Sequence, residues 1–265
     1  MHFLKKIKKI QSISRFAVII SLLTLLNIAC RSLTVTKVES SNIRMDSTLR
    51  VVPDAKIESV IAPYRLILMH EIKEVLCSSK APLYSGRPES PLSNFCADLV
   101  RNESDSVCLK QFPSIHISIA MVNRGGLRVP IPKGEVKVLD MFELMPFENE
   151  VVFLRMSGTE LRKFIDHMAA RGGEGVSGMK FGIKENKGIN PVIEGKPLDD
   201  SKIYWLATSD YLANGGDGNV VLKEITERVS SGIKLRNMFI DHLRKLGHQG
   251  ILIEGKKDGR IYDAK

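Results

Sequence analysis

The stretch Tyr211-Leu-Ala-Asn-Gly-Gly-Asp-Gly218 constrains this chain more than any other. It follows Ile203 to Thr208, a run of β-branched and apolar residues around the single Trp205 that predicts a strand. Two adjacent glycines, a third after Asp217 and Asn214 ahead of them describe backbone that needs positive φ or a close neighbour. A bare turn needs only one or two such residues. Here an aromatic ring stands just upstream and a carboxylate sits inside the glycine cluster. A polyol ligand suits that pair, since the ring offers a stacking face and the carboxylate accepts from vicinal hydroxyls. A tight turn carrying a solvated Asp is the plainer reading of the same residues.

The chain has 265 residues, and its first 29 read as an export signal. Lys5, Lys6, Lys8, Lys9 and Arg15 are basic, and the apolar run Phe16 to Ala29 falls short of the ~20 residues that span a bilayer. Ala29-Cys30 then resembles a bacterial lipoprotein cleavage site, with Asn27 where a leucine is usual, so lipid on Cys30 is the expectation. An ordinary signal peptide or an uncleaved anchor is the alternative. Residues 30–53 read as a Ser-rich tether. The formal charge of +9 owes much to the signal. Without its five basic residues, 34 of the 39 remain against 30 acidic ones, too mild and dispersed for nucleic-acid binding. Cys77, Cys96 and Cys108 fit no metal spacing. They read as buried thiols, with a Cys96–Cys108 bridge as the other possibility.

Periodicity orders the rest. Asp54 reads as the cap of a helix carrying Ile57, Val60, Ile61, Tyr64, Leu68, Ile72 and Val75, with Pro63 expected to kink or delay it. Ser90-Pro91 opens a second helix with Leu92, Phe95, Cys96 and Leu99 on one face. Ile115 to Val122, Glu135 to Leu139 and Val151 to Met156 read as strands. Ser157 and Glu160 form a capping box for a helix with Leu161, Phe164, Ile165 and Met168. Gly172 to Gly182 reads as a glycine-rich linker, Leu235 to Leu246 as a last helix stopped by Gly247, and residues 251–265 as a polar tail, its lysine-rich part after Gly255 solvated and disordered. Helices and strands mix without regular alternation, which predicts an α+β fold.

Three further segments carry chemistry. Asn123-Arg-Gly-Gly-Leu-Arg128 places a glycine pair between an amide and a guanidinium after a strand, where Arg128 can pair an anion. Phe147 and Asn149 stand ahead of the next strand. Arg87, Glu89, Ser93 and Asn94 surround a helix start. Singly each has a bland alternative: Arg128 as a surface charge, Phe147 as core, Asn94 as a turn cap.

Taken in order, Glu89-Ser-Pro-Leu-Ser-Asn94, Asn123-x-Gly-Gly-x-Arg128, Pro146-Phe147-x-Asn149, Ser157-Gly158 with Leu161, Ser177-Gly178 and Tyr211 to Gly218 resemble the C-terminal domain of the bacterial and animal 5′-nucleotidases. The resemblance runs from about Asp54 to Leu246 and sets the expected domain at 54–250. It implies a layered α+β fold, mixed sheets covered by helices, that binds the nucleoside part of a nucleotide. It further implies that Phe147 and Tyr211 clamp the base, that Asp217 accepts from the ribose hydroxyls, that Asn123 contacts the base edge and Arg128 the ribose–phosphate side. Arg87 is the candidate for a further arginine, one residue beyond Gly86, which falls at the family's position.

The family's phosphate chemistry needs two divalent metals held by Asp-x-His, Gly-Asp-x-x-Asp, Gly-Asn-His and Gly-His-x-His motifs in an N-terminal domain. None of these occurs here. Gly216-Asp217 lacks the following Asp, Gly247-His248 lacks the second His, and the segment before Asp54 is short for such a domain. The expectation is therefore no metal and no catalytic residue in this chain, with a separate metallophosphatase chain as partner. The chain would be exported and lipid-anchored to a bacterial envelope membrane, facing the periplasm, and would serve nucleotide catabolism. A non-catalytic lipoprotein that binds nucleotides or nucleotide-sugars for scavenging or sensing is the alternative.

Overall fold

The computed structural model describes residues 17–18, 20–21, 35–42 and 52–264. The Ala29–Cys30 junction and most of the expected signal and tether lie outside them. Residues 1–54 and 55–265 are separate compact units. Of the first, 17–18 and 20–21 are helical, and 35–42 are exposed without regular structure. No helix among the described residues is long and apolar enough to cross a membrane.

The second unit is a mixed α+β structure built on a five-stranded sheet. Its strands are β2 (Ile117–Val122), β4 (Glu150–Ser157), β5 (Gly175–Ser177), β9 (Ile203–Ser209) and β10 (Arg228–Lys234), in the order β10-β4-β9-β2-β5. β2 and β9 are parallel and the remaining pairs antiparallel. Both faces are covered, so successive residues of one strand enter different cores. In β4, Val151 and Phe153 join one cluster while Val152, Leu154 and Met156 join the other. The first cluster packs under α2 (Pro91–Gln111) and α6 (Leu235–His248), beside the two-stranded sheet of β1 (Val75–Ser79) and β3 (Gly134–Lys137). The second packs under α4 (Gly158–Ala170) and a four-stranded sheet. That sheet runs in the order β11-β6-β7-β8, from β6 (Met179–Lys184), β7 (Lys187–Ile193), β8 (Lys196–Pro197) and β11 (Ile261–Asp263).

Helix starts follow the predicted chemistry. Ser90 Oγ accepts from the Ser93 N–H with Pro91 at the first helical position, and Ser157 and Glu160 close the expected capping box. The first helix, α1 (Ala55–Ile72), runs through Pro63, and none of its residues is buried. Val75, assigned to that helix by spacing, begins β1 instead. Glu135 to Leu139 divides between β3 and α3 (Val138–Leu144).

Three expectations fail. The Gly172–Gly182 linker is strand: β5 and most of β6 occupy it, and Gly178 is there for contact rather than flexibility. Its φ is +76°, and a Cβ would lie 2.0 Å from the Ser118 carbonyl oxygen. The disordered tail is packed. Glu89, buried, accepts from the N–H groups of Asp258 and Gly259, Asn94 donates to the Lys256 carbonyl at 2.8 Å, and β11 pairs with β6. The Cys96–Cys108 bridge is absent because both residues lie on α2, 12 positions or about 18 Å of helix apart. All three described thiols are free and buried, and burial pushes those of Cys77 and Cys108 up to about 11.

Candidate functional site

Strand register gathers the candidate residues at one end of the five-stranded sheet. β2 and β9 run parallel, with Ala120 beside Ala207, so both leave the sheet on the same side and deliver Asn123 and Tyr211 there. β4 is antiparallel to β9 with Val151 opposite Ser209, which brings the segment ahead of β4, with Phe147 and Asn149, to the same edge. A single cavity of about 320 Å³ is lined by Asn123, Gly125, Gly126, Arg128, Phe147, Asn149, Tyr211 and Asp217. That volume is in the range of small-ligand sites.

The Tyr211–Gly218 segment builds one wall. Ser209 caps α5 (Asp210–Ala213) through its Oγ and the Leu212 N–H, and the chain then turns at Gly215 (φ +93°) and Asp217 (φ +55°). Gly216 lies under the Tyr211 ring, where a Cβ would be 2.5 Å from the ring atoms. The Tyr211 hydroxyl donates to Asp217 Oδ1 at 3.0 Å and accepts from the Asp217 N–H at 3.2 Å. Asn123 Nδ2 donates to Asp217 Oδ2 at 2.8 Å. Each carboxylate oxygen thus holds one near donor and keeps acceptor capacity toward the cavity.

Phe147 and Tyr211 are 49% and 44% exposed, so neither ring is a core residue. Phe147 is fixed from behind by its backbone: Arg236 donates to the Met145 and Phe147 carbonyls, pairs with Glu148 and stacks on Phe142. Among the described residues, Arg128 Nη1 donates to the Gly125 carbonyl at 3.2 Å, one bond of a five-donor fork. The cavity therefore presents two apolar ring faces, one carboxylate and one guanidinium.

Five of the six sequence candidates, Asn123, Arg128, Phe147, Tyr211 and Asp217, line this cavity. Arg87 does not. Its side chain runs along Gly172, whose Cβ would lie 3.4 Å from Arg87 Cδ. Glu89, Ser93 and Asn94 are buried and serve the fold through the contacts above. Sequence reasoning passed over Arg171 and Glu174, which stand directly behind the Asp217 loop. Arg171 Nη1 donates to the Asp217 carbonyl at 3.0 Å. Their signal was an arginine and an acid flanking a glycine pair, Arg171-Gly-Gly-Glu174, at the start of the supposed linker.

No group of three or more His, Cys, Asp or Glu among the described residues is arranged to hold a metal ion. His116 bonds Asp105 and Glu194, and His242 bonds Glu103. The residues present do not fit a metal pair.

These features define a domain with a ring-and-carboxylate cavity at one sheet end. The family model described as 5′-nucleotidase, C-terminal domain, matches residues 75–224, and the chain belongs to that family. It is 32% identical over 118 residues to Protein UshA of Yersinia enterocolitica, covering 43% of this chain and 22% of that protein. It is likewise 32% identical over 139 residues to the 5′-nucleotidase of Diplobatis ommata, covering 44% and 24%. Among solved structures, the 5′-nucleotidase precursor of Thermus thermophilus superposes with a TM-score of 0.66 at 26% identity, covering 78% of this chain and 43% of that one. The chain thus spans about a quarter of the length of these two relatives.

Proposed function

We propose that this chain is the nucleotide- or nucleoside-binding half of a split 5′-nucleotidase-type phosphohydrolase, its two-metal chemistry supplied by a separate metallophosphatase chain. The observation that carries the reading is the pairing of two exposed aromatic faces with the Asp217 carboxylate around one cavity, in a domain of this family. In this assignment Phe147 and Tyr211 sandwich the base. Such stacking contributes about 1–3 kcal/mol per base and tolerates different bases. Asp217 accepts from the ribose hydroxyls through the lone pairs left by Asn123 and Tyr211. Asn123, with its amide nitrogen held by Asp217, offers its oxygen to the base edge. Arg128 meets the ribose–phosphate side, and the phosphate projects toward the partner. Arg87, whose side chain runs along Gly172, takes no part in this assignment. Lipid on Cys30 would hold the chain at a bacterial envelope membrane facing the periplasm.

The test is AMP hydrolysis with manganese or zinc, by this chain alone and then with a candidate metallophosphatase chain. Turnover only in the mixture supports the split enzyme. Turnover by this chain alone overturns it. AMP binding without turnover in either case moves the function to capture of nucleotides for scavenging or sensing.

A further inference from the structure

Two residues outside the cavity connect its two polar walls. β5 begins at Gly175, opposite Val122, so the residue before it, Glu174, arrives beside the end of β2. Glu174 is buried, its side chain only 2% exposed, and both carboxylate oxygens are engaged. Oε2 accepts from the Arg124 N–H at 2.7 Å, which fixes the start of the Asn123–Arg128 loop. Oε1 accepts from Arg171 Nε at 3.1 Å. Arg171, at the end of α4, reaches the opposite loop, donating to the Asp217 carbonyl at 3.0 Å while Nη2 stays 3.6 Å from Asp217 Oδ2. A buried acid thus ties one ligand-facing loop to the other through a guanidinium.

We propose that Arg171 and Glu174 are positioning residues that set the Asp217 carboxylate for a ribose diol. Asp217 holds a left-handed backbone that its neighbours must enforce, and the Arg171 bond to its carbonyl is one such restraint. Glu174 has the complementary role. A guanidinium beside a carboxylate favours a two-point pair, which would use up the acceptors that hydroxyls need. By engaging Nε, Glu174 turns the fork so that it grips the Asp217 main chain and meets the carboxylate at longer range. Glu174→Gln removes that hold, since an amide cannot give an anionic acceptor to Nε and accept from Arg124 as strongly. Arg171→Met removes the restraint on the loop. Both changes should act on recognition of the diol and leave the aromatic clamp in place.

This inference rests on the nucleoside-binding reading, and the experiment separates the two. Calorimetry on the full chain would compare AMP with 2′,3′-dideoxy-AMP, which keeps base and phosphate and lacks both hydroxyls. Wild type should favour AMP. Arg171→Met and Glu174→Gln should weaken AMP binding about tenfold, as expected for a lost charge-assisted contact, and leave dideoxy-AMP within about twofold, so that the preference disappears. Arg171→Lys, which keeps a charge able to reach the Asp217 carbonyl, should restore part of it. Thermal unfolding of each variant identifies any that fails to fold, in which case the other variant's AMP preference decides. Equal loss of both ligands, an unchanged preference, or equal affinity of the wild type for both overturns the inference and leaves nucleoside binding standing. Failure of the wild type to bind either nucleotide overturns both.

Discussion

Gly172–Gly182 and Gly215–Gly218 look alike in sequence and do opposite things. In the first, glycine admits backbone. Gly178 stands where the Ser118 carbonyl presses against it, and the segment is mostly buried strand, β5 at one edge of the five-stranded sheet and β6 in the four-stranded one. In the second, glycine admits a ring. Gly216 clears the space under Tyr211, and the segment stays at the surface with its carboxylate turned to a cavity. Glycine content alone therefore does not separate a scaffold from a site. The deciding feature is what occupies the missing side chain's volume.

Alanine substitutions test that contrast directly, and the largest effect belongs to the scaffold. Gly178→Ala meets carbonyl oxygen at 2.0 Å, a main-chain atom that cannot swing aside, at a φ of +76°. The left-handed backbone costs about 1–2 kcal/mol for an L-residue and overpacking a further ~1–3. Denaturant unfolding should show a loss of about 2–5 kcal/mol. A loss below about 1 kcal/mol would mean that the segment is the flexible linker its composition suggests.

Tyr211→Ala should do the reverse. The ring is nearly half exposed, so stability should change little, whereas AMP binding should weaken by about 1–3 kcal/mol, roughly 5- to 150-fold, if the ring stacks on a base. Calorimetry reads this in the chain alone, and a raised KM would read it in the reconstituted pair. Unchanged binding would remove Tyr211 from the clamp. Gly216→Ala is the milder version. Its new methyl meets the end of a side chain that can rotate away, so the ring is displaced rather than deleted, and affinity should fall less than in Tyr211→Ala. Equal losses in the two variants would show that Gly216 shapes the loop backbone rather than the ring's seat.

The same contrast explains how much the sequence disclosed. The α+β class, the capped helices and the long strands were legible because their periodicity and caps are local. Five of the six candidates fall on one cavity because they cluster at strand exits. What escaped were contacts between distant segments. Glu89 looked like a ligand group at a helix start, but its carboxylate binds the 258–259 backbone. That bond also orders a tail whose lysine-rich composition suggested disorder. Arg87 sits one residue from the family's arginine position, and its side chain follows Gly172 rather than the cavity. Arg171 and Glu174 flank a glycine pair, and only the β5 register reveals that they meet both loops. The apolar spacing of α1 correctly predicted a helix, yet spacing carries no information about what covers its face.

The smallest expected effects are in pH, and their signs differ between the two regions. His116 belongs to the scaffold side, held by Glu194, whose carboxylate also takes Arg101 beside Gly178. The Glu194 hydrogen bond, aided by the charge of Asp105, raises its pKa in the folded state. Its contribution is therefore full below the ordinary histidine value of about 6.5 and lost as pH rises through the raised folded value. His167 lies beside Gly218 on the site side. Burial, then the charge of Arg171, lowers its pKa. Its contribution is present above about 6.5 and lost as pH falls toward the lowered folded value. Unfolding measured from pH 5 to 8 should thus show the stability gap between wild type and His116→Gln narrowing with pH, and that between wild type and His167→Gln widening. Gaps moving in the same direction would mean that one histidine's surroundings differ from those described, and the variant with the unexpected sign would identify which.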